Sequence, residues 1–441
     1  MVMNEITCRK TRSGMEVWFQ GKPFRLIYPG AIWSSYPDGI KDVLVDNLAH
    51  LLTVNMPLVA GINYVRYNTA EPFFRQLFNE MVIRSIPSST ESYDEHTDEV
   101  TERFRKTIYD FSGPKKTPVF SQDVERASVT PLSFGKDSLL TFAVASEIGL
   151  DPRPVYINDS VSPVENKSKL GYVKAFSREF TPVLTVTNEV EKLNDFEFWG
   201  KDETCLGYMH MVTGFCFIVL PITNCYKAGY IFLGNQKDMD FPFINKDGVL
   251  TYPSPDQTTE WMEKQNDMVK MMTKNVSVTS LISPLTNIAI MKVLFSRYRK
   301  YAKYEISCDC LEGTNEVRWC HECNKCARLF LFMRAVGADP KTAGFRKNML
   351  ERGNKDLFAL FKPQDNYEKS REARDQQLLA FYLAMKNNVK GSLMDVFKEQ
   401  FLEEAQEREE ELQKKFFTVY DANMPGKIKK DVMGIYKEEL E

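Results

Sequence analysis

Ser133-Phe134-Gly135-Lys136-Asp137-Ser138 stands between a short apolar run and the helical stretch Leu139-Leu140-Thr141-Phe142-Ala143-Val144-Ala145. A small-residue loop that opens a helix presents free backbone N–H groups and the positive end of the helix dipole, which suits it to hold phosphate. Gly135 lets the backbone turn tightly and come close to a ligand. Lys136 adds a positive charge, and Ser133 and Ser138 supply hydroxyls. Asp137 can cap the helix or, beside phosphates, help to hold a cation. The Walker spacing Gly-x-x-x-x-Gly-Lys-Ser/Thr is absent.

Around this loop the chain alternates strand and helix. The loop helix is expected to end near Gly149, a good C-cap. Strands are expected at 154–157, 182–186 and 230–233, with helices at 173–180, near 209–221, and at 261–274 and 288–301. Such alternation predicts a parallel sheet with helices on both faces, an α/β fold. Ligands bind at the carboxyl ends of the strands in such sheets. That rule puts the loop, Asn158-Asp159 and Gly234-Asn235-Gln236 on one rim.

The 441 residues suggest two or three domains at about 100–200 residues each, and four regions are expected. Residues 1–120 form an α+β region with a hairpin over 16–28, helices at 40–52 and 73–83, a polar loop at 88–98 and a linker at 113–118. Residues 121–305 carry the loop, 306–335 a cysteine module, and 336–441 a charged helical region. The net charge of -3 gives no global nucleic-acid footprint. The basic residues Lys292, Arg297, Arg299, Lys300 and Lys303 read as a solvated helix face, with RNA contact as the alternative. No apolar run approaches the length of a membrane span. The N-terminus lacks the layout of a signal peptide, so the cytoplasm is the expected compartment.

Five of the nine cysteines crowd into 308–326. Cys320, Cys323 and Cys326 form Cys-x-x-Cys-x-x-Cys, and Cys308 or Cys310 lies about ten residues upstream. Four thiolates suit a closed, structural Zn2+ site, with an iron–sulfur cluster as the rival. His321 reads as a bystander. His210, Cys216 and Cys225 read as core residues.

The loop resembles the PP-loop of the ATP-pyrophosphatase superfamily, usually Ser-Gly-Gly-x-Asp-Ser, with Phe134 in place of a glycine. A PP-loop followed by a distal four-cysteine site resembles two branches. One is the 7-cyano-7-deazaguanine synthases; the other is the MurL-type UDP-N-acetylmuramoyl-L-alanyl-L-glutamate epimerases. The second is closer over 230–335. It is carried by Gly234-Asn235-Gln236, Ser280-Leu281-Ile282-Ser283-Pro284-Leu285, Ser307-Cys308, and Arg318-Trp319-Cys320 through Cys326 followed by Leu329-Phe330-Leu331-Phe332. Gln236, Ser283 and Asn287 depart from the charged residues expected there.

The resemblance implies an adenine nucleotide α-hydrolase-like domain that cleaves ATP with Mg2+ to AMP and pyrophosphate. It implies adenylation of a carboxylate on a small molecule or a nucleotide-sugar peptide, followed by epimerisation. Amide or nitrile formation and RNA modification are the alternatives. Ser133, Phe134, Gly135, Lys136, Asp137, Ser138, Gly234 and Asn235 would then bind nucleotide, with Lys136 and Asp137 in catalytic roles. Cys308 is favoured as the fourth metal ligand.

Overall fold

A computed structural model describes residues 4–118, 120–308, 310–311, 318–362 and 371–441. Its strands are β1 (Glu5–Lys10), β2 (Gly14–Phe19), β3 (Lys22–Ile27), β4 (Tyr64–Ala70), β5 (Ile108–Gly113), β6 (Glu125–Pro131), β7 (Pro152–Asp159), β8 (Leu184–Asn188), β9 (Ala228–Phe232), β10 (Phe243–Ile244), β11 (Leu250–Thr251) and β12 (Ser277–Thr279). Ten of them form one mixed, mostly parallel sheet in the order β12-β9-β6-β7-β8-β3-β2-β1-β4-β5.

The segment β12-β9-β6-β7-β8 is parallel throughout. The chain winds from β6 outward through β7 to β8, then returns to β9 on the other side of β6. The carboxyl ends of β6 and β9 therefore flank a topological switch point, where open α/β sheets leave a crevice. The hexapeptide follows β6, and Gly234-Asn235 follows β9.

The hairpin β2–β3 turns at Gln20 and Gly21, both at positive φ. It does not stand apart: β3 pairs antiparallel with β8 through Leu26 opposite Asn188 and Ile27 opposite Thr187. The N-terminal strands thus extend the parallel sheet. Strand side chains alternate between its two faces. Val155 and Ile231 join a core shared with the N-terminal helices, whereas Tyr156 and Phe232 join a core shared with the C-terminal helices.

Several elements differ from expectation. The helix expected at 173–180 begins at Pro163 and runs to Glu179. The polar segment 88–98 is turn and loop over 91–96, with helix only at its ends, where Arg75–Thr90 finishes and Thr97–Lys106 starts. The distant Asp247 holds the start of the second helix, because its carboxylate accepts both the backbone N–H and the hydroxyl of Thr97. The segment 288–301 divides into helices Asn287–Ser296 and Arg299–Ala302. Within this basic stretch, Arg297 is bonded to Glu147, Glu438 and Glu439, and Lys303 to Glu179. Cys225, expected in the core, is exposed, whereas Cys216 is buried. Two helical stretches, Asp38–Ala60 and Leu206–Cys225, have the length and hydropathy of membrane spans. Their apolar windows are 94% and 78% buried inside the protein, as core helices are.

Candidate functional site

The hexapeptide opens the helix Lys136–Glu147, whose N-cap is Gly135 and which has no side-chain cap. Asp137, expected as a possible cap, instead lies in the first turn. Uncapped helix N–H groups require a partner from outside the helix. Ser133 Oγ lies 3.3 Å from Ser138 Oγ, and Ser138 also donates to Gly135 O at 3.1 Å. The buried Lys136 ammonium donates to Asp137 Oδ1 at 2.5 Å and to Gln236 Oε1 at 3.0 Å. Gln236, where an acidic residue was expected, thus accepts from the loop lysine without adding a charge.

Phe134 has φ of 63°, in the left-handed region that a glycine occupies freely and a bulky residue occupies under strain. Its buried ring packs against Phe176, Tyr172 and Tyr156, with centroids 5.8, 6.0 and 6.4 Å away. Aromatic burial therefore holds a conformation that the backbone alone disfavours. Phe134→Gly is expected to destabilise the protein by about 2–4 kcal/mol, because losing a buried phenyl outweighs the roughly 1–2 kcal/mol of relieved strain. Urea unfolding measures the difference, and a more stable glycine variant would contradict this account.

A cavity of about 510 Å3 opens at the switch point. Of the residues singled out from sequence, Ser133, Asp137, Ser138, Gly234 and Asn235 line it, as does Asp159. Phe134, Gly135 and Lys136, also expected to bind nucleotide, do not line it. Asn235 is buried, and its Nδ2 has no hydrogen-bond partner. An orphaned donor beside an uncapped helix start fits an anionic ligand. Asp238 is buried outside the cavity and accepts from Asn287 N at 2.6 Å and from the Gln376 amide. Burial pushes its carboxyl up to about 6, against the pull of those bonds and of Lys136.

Sequence reasoning missed much of the opposite wall. Glu165 and Lys169 form an ion pair there, one helical turn apart. Tyr208 and Glu191 also line the cavity. Glu191 backs onto His210, whose Nε2 lies 3.3 Å from Glu191 Oε2. The i,i+4 charge pair was a usable signal; Glu191, in a short 3-10 turn after β8, offered none.

Asp256 lies close to this pair. Burial pushes its carboxyl up to about 7, opposed by the Val212 N–H. The unfolded chain ionises this group near its ordinary value, so folding loses stability as pH rises from about 4 to about 7. Asp256→Asn removes that loss. The variant's stability relative to the native protein is expected to rise across the interval by on the order of 4 kcal/mol. Denaturant melts near both ends of the interval test this, and a pH-independent difference would contradict it.

Behind the loop, Cys308, Cys320, Cys323 and Cys326 bring their sulfurs within 4.8 Å of one another. Cys320 Sγ and Cys326 Sγ are 3.7 Å apart, close to the roughly 3.8 Å that two ligands of a tetrahedral zinc ion with bonds of about 2.3 Å require. Backbone N–H groups of Cys320, Glu322 and Cys326 donate to the sulfurs of Cys308, Cys320 and Cys323. Such donors favour thiolates. The four residues fit a metal ion, and zinc is a plausible occupant. Cys310 is exposed and outside the cluster. His321 turns its Nε2 to the Arg346 N–H, also outside the cluster.

The cluster is tied to the loop. Ile306 N donates to Phe134 O at 2.8 Å, and a Cβ on Gly135 would stand 3.2 Å from Ser307 Oγ. Between them, Glu305 is fully buried with neither carboxylate oxygen hydrogen-bonded. Burial pushes its carboxyl up to about 8, with Lys136 and Arg318 opposing.

A mostly parallel α/β sheet, a loop at its switch point and a four-thiol centre are consistent with an adenine nucleotide α-hydrolase-like architecture. The chain is 24% identical over 229 residues to UDP-N-acetyl-alpha-D-muramoyl-L-alanyl-L-glutamate epimerase from Salinispora tropica, covering 50% of this chain. It spans 46% of that relative's length. No protein-family model matches the chain, and no solved structure matches it significantly.

Proposed function

We propose that the protein is an ATP-dependent, AMP- and pyrophosphate-forming enzyme that adenylates a glutamate-type carboxylate and then inverts its α-carbon. The observation that carries the reading is the uncapped helix start at Gly135, faced by Ser133, Ser138 and the orphaned amide of Asn235 in one cavity. The relative named above supports the epimerase outcome.

In this reading the loop N–H groups and serine hydroxyls bind the phosphates, and Asp137 would hold Mg2+, which would offset the phosphate charge. A substrate carboxylate oxygen attacks the α-phosphorus, and pyrophosphate leaves with the electron pair of the broken bond. The acyl-adenylate no longer carries the carboxylate charge that opposes removal of the α-proton. A side-chain base then suffices for that removal. Hydrolysis releases AMP and the epimer. The thiol cluster has a structural part: it holds the loop from behind. Four reduced thiolates also fit a reducing compartment such as the cytoplasm.

Product analysis of ATP turnover with UDP-N-acetylmuramoyl-L-alanyl-L-glutamate tests the proposal. AMP and pyrophosphate that depend on this carboxylate, lost in Ser138→Ala, are expected. ADP and phosphate would overturn the reading. Product that requires ammonia would replace epimerisation by amide or nitrile formation.

A further inference from the structure

Glu191 is the one carboxylate on the cavity wall, among the described residues, with a buried oxygen that lacks a hydrogen bond. Its two oxygens are differently placed. Oε2 accepts from Asn188 Nδ2 at 3.5 Å, and His210 Nε2 lies 3.3 Å away without making a hydrogen bond. Oε1 has no partner.

The imidazole is itself held. Asn55 Nδ2 donates to Gly207 O at 3.1 Å and lies 3.0 Å from His210 Nδ1. The carbonyl contact fixes which end of the amide carries hydrogen, so Nδ1 accepts. The imidazole proton therefore sits on Nε2, toward Glu191. Both His210 and Glu191 are nearly inaccessible to solvent. The imidazole packed 3.3 Å from Oε2 limits where the carboxylate can sit, and Oε1 is left unpaired.

The remaining carboxylates of the wall are engaged. Asp159 accepts from Val161 N and Ser162 N, Glu165 pairs with Lys169, and Asp137 pairs with Lys136. An unpartnered carboxylate oxygen in a buried wall is costly unless a ligand completes it.

We propose that Glu191, positioned by His210 and Asn55, is the base that removes the α-proton of the adenylated substrate. This rests on the adenylating reading above. The α-proton passes to Oε1. The C–H electron pair forms a carbon–carbon double bond, and the carbonyl π pair moves to oxygen as an enolate. A solvent-derived proton then adds to the opposite face, and the Glu191 proton returns to water.

The test uses the full-length protein in D2O with ATP and UDP-N-acetylmuramoyl-L-alanyl-L-glutamate, following AMP release and deuterium at Cα together. Glu191→Gln is expected to keep AMP formation within about 3-fold and to lower deuterium incorporation by at least about 100-fold. Deuterium incorporation within about 3-fold of native, or equal loss of both signals with a native melting temperature, would overturn the proposal. Should the glutamine variant melt early, Glu191→Asp carries the comparison. A drop of about 10-fold in deuterium alone supports the assignment, and an equal drop in both opposes it. Native protein that forms AMP without incorporating deuterium overturns the base assignment and leaves adenylation standing. Native protein that forms no AMP overturns the adenylating reading, and this inference with it.

Discussion

Cys326→Ala is expected to lose bound metal, to destabilise the protein by roughly 4 kcal/mol or more, and to abolish nucleotide binding. Structural zinc contributes about 10–16 kcal/mol in small metal domains, and loss of one thiolate forfeits much of it. Cys326 is buried, its sulfur is 3.7 Å from that of Cys320, and its own N–H donates to Cys323. Losing the ion would leave three crowded thiols without a common partner. The damage does not stay local. Ile306 holds Phe134 O, Ser307 lies under Gly135, and Phe134 keeps a left-handed turn only while its surroundings hold it. Elemental analysis, thermal melting and ATP titration of the same samples check the chain of effects. Chelation of the native protein is expected to reproduce them, with recovery on adding zinc. Full ATP affinity in a metal-free protein would separate cluster from loop and remove this argument.

Gly234→Val is expected to lower ATP-dependent turnover by at least about 100-fold while leaving the fold intact. A Cβ at position 234 would stand 3.3 Å from Asp137 Cβ and 3.8 Å from Ser138 N. The valine methyl groups would extend into the space over the first helical N–H groups, where the phosphates are proposed to bind. Gly234 is not among the positive-φ residues, so valine meets no backbone penalty there. Gly234→Ala is expected to show a milder loss, because its neighbours need give only a few tenths of an ångström. Steady-state assays with melting curves check both variants. A valine variant with native turnover would place the phosphates elsewhere.

The loop was readable because everything it needs is local: small residues, a lysine and serine, then an apolar helix. The hairpin at 16–28 was readable for the same reason. Its union with the parallel sheet was not, since that rests on two residue pairs, Leu26 with Asn188 and Ile27 with Thr187. Local periodicity carries no trace of such a long-range register. The four sulfurs that meet are those of Cys308, Cys320, Cys323 and Cys326, and three of them announced themselves by spacing. Glu191 was invisible for another reason. It sits in a short turn, and only the crossing from β8 toward β9 brings His210 behind it. His210, read as a core histidine, is indeed buried, yet its partner lines the cavity.

The pairing of β3 with β8 has a consequence for dissecting the protein. Expressed without residues 1–120, the remainder would present β8 as a bare edge beside an uncovered apolar face, an invitation to strand-to-strand aggregation. It would also lack Asn55, and with it the contact that sets the His210 tautomer. A truncation that removes the N-terminal strands would therefore yield an insoluble fragment rather than a minimal enzyme.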